Sequence, residues 1–166
     1  MWRAEEVYEG RRLRDVAVKL FFLPDGYAPA SADAARWLDG VIDEASALCR
    51  VEHTNIVRFH TLFRDDSHGA VGLVMEYVAG KSLGAILRKT GAIDAAKVFD
   101  IGIHMAWALA AVHNAGLVHR DVKPDNIIEG SSGYKLVDFG IVAHGPQAGA
   151  DSPPLLVGTP GFIPPE

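Results

Sequence analysis

Four side chains near the C-terminal end of this sequence could do chemistry together: Asp121, Lys123, Asn126 and Asp138. An aspartate can accept the proton of an attacking hydroxyl, or orient that hydroxyl. A lysine two residues on can reach a phosphoryl group and neutralise it. Asn126 and Asp138 offer oxygen donors, which suit a hard cation such as magnesium. Phosphoryl transfer asks for this kind of positioning and charge neutralisation more than for covalent chemistry. Phe139 is placed to pack into a core and hold Asp138, and Gly140 gives the backbone freedom beside it. Taken singly, each residue is ordinary, since a lone loop aspartate is usually a turn former or a cap. Their order, with seventeen residues from Asp121 to Asp138, carries the inference.

These residues need elements to hold them. Asp15 to Leu23 is apolar and β-prone, a strand by pattern. Pro24-Asp25-Gly26 signals a turn. Residues 32–51 are alanine-rich with few breakers and predict a helix. Ile56 to Phe63 and Ala70 to Tyr77 predict two strands joined by a polar turn over 64–69. Ala79-Gly80-Lys81 reads as a linker. Ser82 is expected to cap a short helix to Lys89, and Asp94 a second running to about Ala115, with Gly116 as the stop. Short strands are expected around Ile127-Ile128 and Lys135-Leu136-Val137, and an extended Pro- and Gly-rich loop from Gly145. Strands with one helix, a linker, then helices predict an α+β fold in two lobes joined near residues 77–81.

Composition bounds the function. The chain has 166 residues, 49% hydrophobic and 22% charged, ordinary for a globular domain. The net charge of −5 argues against nucleic acid as a partner. No uninterrupted apolar run approaches the roughly 20 residues of a membrane span, and the N-terminus has no signal-peptide pattern. Cys49 is the single cysteine, which excludes an internal disulfide and fits a reducing, cytoplasmic setting.

The segment His119-Arg120-Asp121-Val122-Lys123-Pro124-Asp125-Asn126, followed by Asp138-Phe139-Gly140, resembles the catalytic and metal-binding loops of the protein kinase family. Lysine at 123 resembles the serine/threonine branch. The resemblance implies ATP and Mg2+ as cofactors, a protein Ser/Thr hydroxyl as acceptor, Asp121 and Lys123 as catalytic residues, and Asn126 and Asp138 as metal ligands. It extends to Val16-Ala17-Val18-Lys19, with Lys19 on the α/β phosphates and Glu44 as its partner, Asp43 being the competing acid. Val74-Met75-Glu76-Tyr77-Val78 resembles the gatekeeper and hinge. Met75 would then face the back of the nucleotide pocket, Glu76 and Val78 would offer backbone groups to adenine, and Ala17 and Ile128 would complete the ATP site. Leu48, Phe59, His119 and Phe139 match the hydrophobic stack that links the lobes of active kinases. Gly158-Thr159-Pro160-Gly161-Phe162-Ile163-Pro164-Pro165-Glu166 resembles the end of the activation segment, with Thr159 orienting Asp121 and Lys123. Ser152 is a candidate phosphosite there, with Arg120 as a partner for its phosphate.

The pattern is incomplete at both ends. No Gly-x-Gly-x-x-Gly precedes Lys19, and the opening Met1-Trp2-Arg3-Ala4 is similar to the strand that follows that loop, with Met1 at its valine, which an alternative start codon would explain. Val7-Tyr8 is a second match but lies closer to Lys19 than usual. The segment beyond Glu166 that would anchor the catalytic loop is not in the sequence. The expectation is a partial kinase domain, residues 1–78 as N-lobe and 79–166 as the start of the C-lobe, marginally stable and weakly active or inactive alone. Two alternatives are a non-catalytic, pseudokinase-like binding module and a small-molecule phosphotransferase of kinase-like fold.

Overall fold

The computed structural model describes residues 1–24, 31–65, 67–138, 159, 161 and 162, with Glu44 described in its backbone alone. These residues form two compact units. Met1–Cys49 and Arg58–Tyr77 belong to the first, and Arg50–Val57 with the described residues from Val78 onward to the second.

The first unit is a four-stranded antiparallel sheet, order β1-β2-β4-β3, with one helix. Its strands are β1 (Trp2–Tyr8), β2 (Arg11–Phe22), β3 (Phe59–Asp65) and β4 (Ala70–Glu76), and its helix is α1 (Ala32–Cys49). The β1–β2 turn has positive φ at both central residues, Glu9 (46°) and Gly10 (77°), the turn whose twist suits a two-residue hairpin. Arg14 meets Glu6 directly across the pair, and Arg3 and Arg12 both reach Asp15. These charges are exposed and add little stability, but they tie β2 to β1 from Arg11, four residues before its predicted start. Val16, Val18 and Val74 are buried together on one side, with Ala4 and Leu20 against them. Alternation then puts Ala17, Lys19, Leu73 and Met75 on the opposite side. In α1, Ala34, Val41, Ala45 and Leu48 are buried at helical spacing, and the helix packs on β3 and β4. Ser31 Oγ accepts the Ala34 N–H at its start.

The second unit holds a three-stranded sheet, β5 (Gly80–Ser82), β6 (Ile127–Gly130) and β7 (Gly133–Leu136), with helices α2 (Leu83–Thr90) and α3 (Ala95–Asn114). Ser82 accepts the Ala85 N–H and Asp94 the Ala96 N–H, so both predicted caps are made. Gly91 and Gly116, at φ 76° and 72°, close the two helices. α3 buries Met105, Ala108 and Val112 and packs on β7. It is also long and apolar enough, by length and composition, to cross a membrane, a property that core helices share.

Two sequence expectations are corrected. Residues 79–81 are not simply a linker, because Gly80 and Lys81 belong to β5 and pair with Gly130 and Glu129. A Cβ at Gly80 would run into the Glu129 carbonyl, so glycine is what lets the strands close. The strand expected from Ile56 begins at Phe59, because the residues before it are committed elsewhere. Val57 N–H donates to Leu136 O at 3.0 Å, and Leu136 N–H to Asn55 O at 2.7 Å. The expected turn at Asp25-Gly26 lies outside the described residues.

Candidate active site

The chain enters the loop after α3 through His119, which is buried and whose Nδ1 receives the Asp121 N–H at 3.4 Å. Arg120 between them has a φ of 65°, a left-handed conformation uncommon for a non-glycine residue. Lys123 is extended and leads into a 3-10 turn, Pro124–Asn126, with proline at its first position. The Asn126 N–H closes that turn on Lys123 O at 2.9 Å.

Three side chains gather around the Asp121 carboxylate, two from this backbone and one from Thr159. Lys123 Nζ donates to Asp121 Oδ2 at 2.7 Å and to Thr159 Oγ1 at 2.7 Å. Thr159 Oγ1 in turn donates to Asp121 Oδ1 at 2.5 Å. Asn126 Nδ2 donates to Asp121 O at 2.9 Å and to Oδ2 at 2.8 Å. Burial alone would raise the Asp121 carboxyl, but hydrogen bonds from Lys123, Thr159 and Asn126 outweigh it and hold the group below the usual carboxylate range. Asp121 is therefore ionised at neutral pH and fixed in direction, as a base or orienting group must be.

Asp138 follows β7, and Val137 N–H donates to Asn126 O at 2.9 Å, so the backbones carrying Asn126 and Asp138 are tied together. Asp138 has a φ of 61°. Left-handed positions at Arg120 and Asp138, on the two separate segments that carry the site, fit a site that holds backbone strain for function. With Asn126 Nδ2 engaged by two acceptors of Asp121, its Oδ1 is the atom available to a cation. Together with the Asp138 carboxylate this makes a hard oxygen donor set, which fits magnesium, an ion that takes one or two protein oxygens and fills its shell with water and phosphate.

The remaining predicted residues are placed as follows. Ala17 and Met75 are buried partners across β2 and β4, and Lys19 lies opposite Leu73 on the same side, its Nζ 4.9 Å from the Phe21 ring centre. Glu76 N–H donates to Arg58 O at 2.8 Å, so of its two backbone groups only the carbonyl can serve the adenine reading. Val78 is half-buried, and Ile128 sits in β6 between Ser82 and Lys135. Leu48 and His119 are each buried and Phe59 is half-buried within its own unit. Phe139, Gly140, Ser152 and the Glu44 side chain lie outside the described residues.

Sequence reasoning missed two supports. Asn55 is buried, and its Nδ2 donates to Tyr134 O at 2.8 Å, which anchors β7 ahead of Asp138. A single amide set against the apolar Ile56-Val57 is a signal that could have found it. The pairing of Asp125 with Arg88, 37 residues apart at 2.9 Å, leaves no local signal.

The family model for the protein kinase domain matches residues 7–166. The chain is 31% identical over its full length to the serine/threonine-protein kinase PknA of Mycobacterium tuberculosis, spanning 37% of that protein. It is 37% identical over 92% of its length to the serine/threonine-protein kinase PksC of Streptomyces coelicolor, spanning 28% of it. Among solved structures it is similar to Rad53 in complex with AMP-PNP, with a TM-score of 0.63 and 29% identity over 77% of this chain and 32% of that one. This chain belongs to the protein kinase family, and its α+β architecture is part of a kinase fold. The curated relatives named here are serine/threonine-protein kinases, of whose length it spans about a third.

Proposed function

We propose that this chain carries part of the catalytic domain of an ATP-dependent protein serine/threonine kinase, which transfers the γ-phosphoryl group of ATP to a Ser or Thr hydroxyl of a protein. The observation that carries this reading is the network of Lys123, Thr159 and Asn126 around the ionised Asp121. Asp121 accepts or orients the acceptor hydroxyl, and Lys123, already in contact with that carboxylate, neutralises the transferred phosphoryl. Asn126 and Asp138 would hold magnesium, which would supply positive charge to offset that of the phosphate groups.

The nucleotide roles rest on the family and on the nucleotide analogue in the Rad53 complex. Lys19 binds the α/β phosphates with Glu44 as its partner. Ala17, Met75 and Ile128 line the adenine site, with Glu76 and Val78 supplying backbone groups. Thr159 fixes Asp121 and Lys123, Ser152 is a candidate phosphosite, and a cytoplasmic setting is part of the same reading. Lys19, Asp121 and Asp138 are all present, which favours catalysis over a pseudokinase-like module.

The test is transfer of labelled γ-phosphate to a generic protein substrate with Mg-ATP, Asp121→Asn serving as control. Incorporation on serine and threonine is expected to be weak, in keeping with a partial domain, and lost in the variant. Incorporation equal in both proteins, or none in either, overturns the proposal for this chain.

A further inference from the structure

Asp125 is the one acid of the catalytic segment with no role in the proposed reaction, and its surroundings are specific. Its Oδ1 accepts from Arg88 Nη1 at 2.9 Å, and its carboxyl group lies against the backbone of Gly84. A Cβ at residue 84 would fall inside van der Waals contact of both carboxyl oxygens and the carbon between them. Gly84 and Arg88 are one helical turn apart on α2, so one helix face meets this carboxylate at two points. Gly84 is in the first turn of α2, where backbone N–H groups favour an anion, and α2 has no acid of its own there. Asp125 supplies that negative charge from another segment.

We propose that Asp125 is a positioning residue: α2 grips its carboxylate between Gly84 and Arg88, and this grip sets the 3-10 turn and hence the direction of Asp121. The chain of contacts is short. Asn126 is the next residue, its N–H closes the turn on Lys123 O, its carbonyl receives Val137 N–H, and its side chain holds Asp121 at two oxygens. Arg88 and Asp125 are largely exposed, so their ion pair alone is weak. The close approach at Gly84 makes the arrangement selective. Calling the positioned loop catalytic rests on the kinase reading, whereas the grip itself does not.

The sign of one substitution separates the grip from ordinary helix stability. Alanine in place of glycine in a helix normally stabilises it. Here Gly84→Ala is expected to speed amide hydrogen exchange at Asn126 and Val137 about tenfold, because overpacking against the carboxylate displaces the turn. Arg88→Ala is expected to speed the same amides about threefold, with Arg88→Lys close to wild type. In the double variant Gly84→Ala with Asp125→Ala the obstacle is gone, and α2 is expected to exchange more slowly than in Asp125→Ala alone. β1–β2 amides serve as the internal reference and are expected not to change. Unchanged exchange at Asn126 and Val137 in Gly84→Ala overturns the proposal. So does acceleration spread evenly over both units, or a double variant that is additive. If wild-type chain transfers phosphate, kcat falls in Gly84→Ala with the KM for ATP retained. If it transfers none, the function fails while the exchange comparison still decides the grip.

Discussion

Thr159 Oγ1 donates to Asp121 Oδ1 at 2.5 Å while accepting from Lys123 Nζ at 2.7 Å, so one hydroxyl from 38 residues downstream links the acid and the cation of the loop. No rearrangement of Asp121 and Lys123 leaves that hydroxyl untouched. Thr159→Ala removes both bonds at once. Hydrogen bonds to charged groups are worth about 1.5–3 kcal/mol, which predicts a fall in phosphoryl transfer of about 10- to 100-fold. Thr159→Ser keeps the hydroxyl and is expected to stay within about threefold of wild type. Steady-state kinetics of the two variants side by side check this.

The depressed Asp121 carboxyl sets a pH dependence. Because its folded value lies below the ordinary 3.8, the network stabilises the fold above that ordinary value. The contribution is lost as pH falls through the lower folded value. Lys123→Met removes one of the hydrogen bonds that lower it, together with the ammonium charge, so the carboxyl should move back up. Carbon-detected titration of the Asp121 side chain is expected to show a higher midpoint in the variant. The stability advantage of wild type over the variant should shrink as pH falls below the ordinary carboxylate range. An unshifted midpoint contradicts the pairing of Lys123 with Asp121.

Gly80→Ala is expected to open β5 from β6. The obstacle a new Cβ would meet is the Glu129 carbonyl, part of the backbone and unable to swing aside. Overpacking of this kind costs about 1–3 kcal/mol. Chemical denaturation should show the loss, with faster exchange at the residues paired in β5 and β6.

Ser82→Ala and Asp94→Ala each remove a side-chain oxygen from a helix N-terminus. Each is expected to cost about 1 kcal/mol, read as a lower denaturation midpoint at constant slope. Replacement by Asn at either site should restore most of the loss, since its carbonyl can accept the same N–H.

The parts of this fold legible in the sequence are those set by local chemistry. Ser82 and Asp94 announced their helices because a cap is a property of one residue and its next three. Gly116 announced a stop because its left-handed φ is costly for other residues. The ends of β3 and the pairing of β5 were not legible, because they depend on partners far along the chain: Leu136 for Asn55 and Val57, Glu129 and Gly130 for Lys81 and Gly80. The site divides the same way. Asp121, Lys123 and Asn126 could be named from their order and spacing, and Thr159 only through the resemblance of its segment to the end of a kinase activation segment. Aspartate tolerates the left-handed region better than most residues, but the left-handed backbone at Arg120, unlike that at Asp138, has no signature in its residue type. The meeting of Arg88 with Asp125 over Gly84 is likewise invisible, since a glycine in a helix ordinarily reads as a weakness.

The hydrogen bonds to Asp121 can be counted against what a carboxylate can take. Two oxygens present about four lone-pair positions. Oδ2 receives Lys123 and Asn126, and Oδ1 receives Thr159. Among the described residues Oδ2 is therefore saturated, and Oδ1 retains one position. The two oxygens of this single acid are inequivalent: one is locked to the loop, and the other has room for one more donor. An incoming hydroxyl has one geometric address, beside Thr159, and the loop thus distinguishes a direction of approach before any partner arrives.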